Sequence, residues 1–303
     1  MKQDLKKDII TKAWNTILDD SKIKKLYFFP WLVSIIFFTL LLVYQVVYTY
    51  VEIFDWKEQV LTILLNIFHS TYIVEIIILA LVFLVIYIIT IPIFEWGLIY
   101  YLDNKEKKEN ISSWDIISSW LYKFLPVFEY NNIFSQFKLI SILNIYLFCL
   151  RFIWLEYIWL INYIFLFLFL LSVIINILFA YSKYEIILNK KKALESITSS
   201  IKISILNIWL TSKLYIFMFL LNIRVIINFL VFLIFPIIII SAIIYITSKI
   251  FLIITLAIFS IIFLFLILFL WYLSWVLDVF KTAIWYYAYK EAKEKSDNID
   301  KEE

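Results

Sequence analysis

The sequence predicts an all-α protein, a polytopic transmembrane helical bundle of about six spans arranged as three hairpins. Three observations carry this expectation. Of the 303 residues, 64% are hydrophobic and 20% aromatic, with a mean hydropathy of +0.94. A soluble domain of that length has too little interior to hide so much apolar surface. Charge-free apolar runs recur at the length a bilayer needs, since about 20 helical residues cross a hydrocarbon core roughly 30 Å thick. Lysines, finally, crowd into alternate connections.

Taken in order, the chain opens with residues 1–25, where lysines alternate with Asp4, Asp8, Asp19 and Asp20. Ile10, Trp14, Ile17 and Leu18 mark an apolar helical face there, and no small-residue cleavage site follows, so no removable signal peptide is expected. Leu26–Val51, between Lys25 and Glu52, is the first expected span, and Ile76–Phe94, between Glu75 and Glu95, is the second. Trp114, Ile117, Leu121, Phe124 and Phe128 then recur at spacings of three and four, the mark of one helical face. Leu139–Leu150 lies between Lys138 and Arg151 and is short for a span, so it must borrow flanking residues whose charged heads reach outward. Tyr157–Ser182 makes the fourth span. Leu194, Ile197, Ile201, Ile205 and Ile208 give another amphipathic face, with Ser, Thr, Lys and Glu between them. The fifth span, within Leu214–Ser248, is interrupted by Arg224 and Pro236 and is expected to kink. Ile250–Leu277 is the sixth. The expected division is a surface segment (residues 1–25), a membrane domain (26–290) and a charged tail (291–303).

Orientation follows from the excess of Lys and Arg on the cytoplasmic side of membrane proteins. In a cell membrane with both ends in the cytoplasm, all 27 basic residues except Lys57, Arg151, Lys249 and Arg224 fall on the cytoplasmic side. Aromatic girdles agree: Trp31 opens the first span, and Trp271 lies about 32 Å along a helix from Ile250. Each hairpin is thus preceded by a cytoplasmic amphipathic helix, giving three units that begin near Asp4, Ile111 and Ala193. Neither later helix carries the strong Lys/Arg row of a dedicated membrane binder. Bracing of the bundle is the simpler expectation for them, and docking of lipid or a protein partner the functional one.

The stretch Lys191–Leu210 (KKALESITSSIKISILNIWL) resembles the loop-to-span passage of a broad prokaryotic group of six-span membrane proteins. That group includes the membrane domain attached to some glycerophosphodiester phosphodiesterases. Phe280–Tyr289 (FKTAIWYYAY) is similar to the end of their last span. The resemblance implies a six-span plan. It implies no phosphodiester chemistry, because the catalytic barrel of that group is a separate domain without a counterpart here.

Several chemistries are excluded by residue type. Gly97 is the one glycine, which removes every glycine-rich phosphate loop, the nucleophile elbow and the GxxxG packing face. His69 is the one histidine and Cys149 the one cysteine, so multi-His or multi-Cys zinc sites and a Ser-His-Asp triad are not expected. A net charge of +3 suggests no nucleic-acid face. No cofactor is expected. The carboxylates Glu75, Glu95 and Glu156 sit at span ends, as interfacial charges do.

Arg224 is the one candidate for a charge inside the membrane, about 16 Å beyond Lys213 along a helix. Asn228 shares its face, and Asn162 and Asn176 on the fourth span offer polar partners. Together they form a candidate seam for an anionic headgroup or another anion. The leading expectation is a non-enzymatic accessory or scaffold engaging membrane lipids, or another membrane or cytoplasmic protein. The alternative is a transporter or permease for an anionic or lipidic solute. A lipid-acting enzyme ranks last, because no cluster of carboxylates shares a leaflet.

Overall fold

The structure, a computed structural model, describes residues 4–20, 22–25, 55–107, 124–152, 157–224 and 249–302, with isolated residues between 28 and 51 and at 112 and 115. Every regular element among them is helical. In chain order these are α1 (Asp4–Asp19), α2 (Lys57–Phe68), α3 (Ile73–Glu106), α4 (Phe124–Ser135), α5 (Leu139–Phe152), α6 (Ile158–Leu178), α7 (Ser182–Asn189), α8 (Ala193–Leu206), α9 (Ile208–Arg224) and α10 (Lys249–Glu302). Three stretches are long and apolar enough to cross a membrane: Ile73–Glu106, Ile158–Asn189 and Leu268–Ile299. The bent pair α8 and α9 would make a fourth. The expected spans Ile76–Phe94, Tyr157–Ser182 and Ile250–Leu277 lie within α3, α6–α7 and α10. Most of the expected first span, the surface-face residues Trp114, Ile117 and Leu121, and the Asn228 and Pro236 region lie outside the described residues.

The chain divides into two compact units. In the unit of Lys22–Phe124, α2 and α3 are joined by a turn in which the Ile73 N–H donates to the Ser70 carbonyl at 3.2 Å. Residues 57–68, in the connection expected between the first two spans, form a helix. Glu58 in the first turn suits the helix dipole, and Leu61, Ile63 and Leu65 project outward. The first half of α3 is exposed, whereas Trp96, Leu98, Ile99 and Leu102 are buried near its end. Phe29 meets Phe94 with ring centroids 5.8 Å apart.

The other unit holds α1 and α4–α10. Helices α5 and α6 form an antiparallel hairpin. At one end the Phe137 carbonyl accepts from Ser172 Oγ (2.6 Å) and Asn176 Nδ2 (2.8 Å). At the other the Tyr146 hydroxyl donates to Asn162 Oδ1 at 2.9 Å. At about 1.5 Å per residue α5 reaches only some 21 Å, short of a full crossing by itself. Helix α4, which has Pro126 in its first turn where no N–H is needed, packs Tyr130 and Phe134 against Phe179 at the lysine-rich end of α6.

The second half of α10 is the hub of this lysine-rich end. Val279, Ala283, Ile284, Tyr286, Ala288 and Ala292 are fully buried and point to all sides of the helix. The residues expected as a charged tail continue the same helix to Glu302, with Ala292 and Ser296 buried. Helix α1 docks on this hub by only part of the apolar face marked in the sequence. Ile9, Ala13 and Ile17 are buried, while Trp14 and Leu18 are exposed. The reason is that α1 has two adjacent apolar rows, and the smaller side chain of Ala13 permits the closer approach. The Thr16 hydroxyl lies 2.8 Å from the Tyr287 hydroxyl, Lys12 sits over the Tyr287 ring at 4.6 Å, and Trp14 meets Phe280 edge-on at 5.4 Å.

Candidate functional site

Helix α8 defines the site. Sequence spacing put Leu194, Ile197, Ile201, Ile205 and Ile208 on one helical face, and the structure shows that the face against the protein is a different one. Ala193, Ser196, Ser200, Ile203 and Ser204 are buried, whereas Leu194 is 73% and Ile205 56% exposed. With about 100° between successive residues, the helix has three sectors. A serine-rich sector faces the protein. An apolar sector (Leu194, Ile197, Ile201, Ile205) adjoins it, and a polar sector (Glu195, Thr198, Lys202) completes the circle. Small hydroxyl residues let α8 lie close against its neighbours, which is why they face inward in a chain almost without glycine.

The serine row also repairs the backbone beneath it. Between α6 and α7 the helical ladder is broken at Phe179–Tyr181. Ser200 Oγ accepts from the Tyr181 N–H at 3.1 Å and donates to the Leu178 carbonyl at 2.9 Å, so one hydroxyl satisfies both orphaned groups. Further along, Thr211 Oγ1 and the Tyr181 hydroxyl are 2.9 Å apart.

At Asn207 the chain bends by 96° from α8 into α9. The Asn207 amide donates to the Ala292 carbonyl of α10 at 3.1 Å, which fixes the corner to the hub. Trp209, just past the corner, is 67% exposed, and Lys213 Nζ lies 4.5 Å above its ring. A bend near a right angle means that when one arm follows the membrane normal the other lies in the membrane plane. An exposed Trp capped by Lys is the pairing found at headgroup depth.

Beside α8 lies a buried charge that the sequence reading passed over. The Glu185 side chain is fully buried, with Lys191 Nζ 2.7 Å from Oε2 and Lys293 Nζ 3.6 Å from Oε1. The Tyr289 hydroxyl donates to Oε1 at 2.7 Å and in turn accepts from Asn189 Nδ2 at 2.7 Å. Lys191 also donates to Ser199 Oγ of α8 at 2.6 Å, and Lys293 also meets Asp297 at 3.3 Å. Two carboxylates therefore balance two ammoniums, and Tyr184 stacks on Tyr289 at 5.4 Å to cover them. The lock ties α7, the start of α8 and the end of α10 together. Its cue in the sequence was an acid inside an apolar window shortly before three successive lysines.

Lys190 ends α7 in the left-handed region at φ 58°, where glycine is usual. The N–H of Lys191 reaches back to the Glu185 carbonyl at 3.4 Å. That turn delivers the Lys191 side chain to the Glu185 carboxylate.

Three of the four residues of the expected polar seam are among the described residues. Asn162 and Asn176 are both on α6, one at each end of the α5–α6 hairpin, and Asn228 lies outside the described residues. The Tyr215 hydroxyl of α9 donates to the Asn176 carbonyl, so α9 runs beside α6. Arg224 stands on α9 about 24 Å from the corner and is exposed. Among the described residues no three His, Cys, Asp or Glu side chains are grouped as a metal site requires. No family model, no curated protein and no solved structure matches the chain.

Proposed function

We propose that this is a non-enzymatic accessory or scaffold protein of the cell membrane, with six spans as three hairpins and both termini in the cytoplasm. Its lysine-rich end carries surface helices that engage membrane lipid. The observation that carries the reading is the three-sector α8 held at 96° to α9. An in-plane helix at the interface needs protein on one side, acyl chains below and water above, and α8 offers a matching sector to each. Lys190, Lys192, Lys202 and Lys213 around it favour anionic headgroups.

The test is native mass spectrometry of the detergent-solubilised full chain carrying Leu194→Glu and Ile205→Glu. Retained anionic phospholipid should fall several-fold relative to wild type, with the fold intact by circular dichroism. Undiminished lipid retention would remove the reading.

A second reading, a transporter or permease for an anionic or lipidic solute, is favoured by one observation. Arg224 is a charged side chain on an otherwise apolar stretch of α9, with no ion-pair partner among the described residues. Proteoliposome flux that is lost in Arg224→Ala would establish it, and the absence of flux would dismiss it.

A further inference from the structure

We infer that α1 is a second interfacial helix, whose outward row of Ile10, Trp14 and Leu18 rests on acyl chains, so that α1 and α8 form a lipid-seated collar around the end of α10. The inference borrows its frame from the lipid-facing reading of α8 but stands on different residues.

Helix α1 shows the same three sectors. Ile9, Ala13 and Ile17 face the hub. About 100° further round the helix, Trp14 and Leu18 are 43% and 57% exposed, Trp14 touching Phe280 by one edge only, with Ile10 partly exposed beside them. The remaining arc holds Thr11, Lys12, Asn15 and Asp19, all exposed. A helix crossing a bilayer would have no such polar row along its length, and a helix wholly in water would gain nothing from the apolar one. Lipid below and water above accommodate both.

The order of the sectors is the second observation. Viewed from the N-terminus, each helix presents protein, then apolar row, then polar row in the clockwise sense. With the bilayer underfoot and the chain followed from N- to C-terminus, the protein is on the right in both cases. Two in-plane helices sharing that hand, and both packed on α10, circle it in one direction. Both helices are fixed to α10 by polar contacts, Thr16 to Tyr287 at 2.8 Å and Asn207 to the Ala292 carbonyl at 3.1 Å. The contact residues on α10 are five apart, so the collar grips a short length of one helix.

The experiment uses the full chain in a Cys149→Ser background, reconstituted in phosphatidylcholine with a minority of phosphatidylglycerol. A nitroxide is attached singly in place of Trp14, Leu18, Thr11 or Asn15, with Thr198 and Ile205 on α8 as an internal pair. Collision with oxygen, which partitions into acyl chains, is compared with collision with a water-soluble nickel complex. The oxygen-to-nickel ratio at Trp14 and Leu18 should exceed that at Thr11 and Asn15 by about threefold or more. Equal ratios in the two rows would overturn the inference. So would exclusion of both reagents from Trp14 and Leu18, since that would put a protein or a second copy there. Contrast kept on α1 but lost between Ile205 and Thr198 would defeat the α8 reading alone. As a measurement that leaves α1 unlabelled, quenching by bromine-substituted acyl chains should lose a component in Trp14→Phe, and an unchanged quenching curve would count against the inference.

Discussion

Truncating Glu185 to alanine would leave Lys191 and Lys293 facing a buried space with no counter-charge. Removing one member of a buried ion pair typically costs about 3–5 kcal/mol. Here the lower end applies, because the two lysine side chains are 31% and 29% exposed and can turn toward water. We expect a loss of about 3 kcal/mol for Glu185→Ala, which includes the hydrogen bond from Tyr289. Glu185→Gln keeps an acceptor for that hydroxyl and should lose about 1–2 kcal/mol. In a double-mutant cycle with Lys191→Met, the two changes should fall short of additivity by about 1–2 kcal/mol, since the second removes a charge the first had stranded. The assay is unfolding of the full chain in mixed micelles of rising dodecyl sulfate content, followed by tryptophan fluorescence, with Trp285 close to the lock. Moderate salt should change the coupling little, as buried pairs are weakly screened. A Glu185→Ala protein within about 1 kcal/mol of wild type, or additive with Lys191→Met, would refute the reasoning.

Three further outcomes follow from the same region. Ser200→Ala should cost about 2 kcal/mol in the same unfolding assay, because it strands a buried N–H and a part-buried carbonyl at the α6–α7 break. Ser196→Ala, whose hydroxyl returns only to its own helix, should cost well under that amount. Lys190→Gly should stabilise by about 1 kcal/mol by relieving the left-handed backbone, whereas Lys190→Ala should not, which separates backbone conformation from charge. Asn207→Ala should loosen the corner, seen as earlier proteolysis at residues flanking the bend and a loss of about 1 kcal/mol.

The helical class and the apolar cores of α3, α6 and α10 were legible because long charge-free runs state their own medium. What patterning left open was direction. Spacing shows that Leu194 and Ile205 share a face but not whether that face meets protein or acyl chains. At a bilayer surface lipid competes for that row, and Ser196, Ser200 and Ser204 take the protein side because small side chains allow close approach. Helix α1 is a related case: two apolar rows of similar strength lie side by side, and only the partner surface decides between them. Glu185 was hard to single out because, Lys191 apart, its partners Lys293 and Tyr289 lie about a hundred residues away, a distance that local spacing does not encode. Helix α2 escaped notice because Thr62 and Asn66 interrupt an apolar run already too short to span. Arg224 was identifiable as unusual, but a single charge carries no information about which asparagine, if any, it meets.

Helix α10 is one unbroken element of 54 residues, so it extends about 80 Å, nearly twice the full thickness of a bilayer with its headgroups. Such a rod is a lever. Tilting its apolar half by about 10° to follow a thicker or thinner membrane would swing a point some 40 Å along it by about 7 Å. Every helix clasped to its far half would be carried along, so a change in bilayer thickness becomes a displacement at the lysine-rich surface.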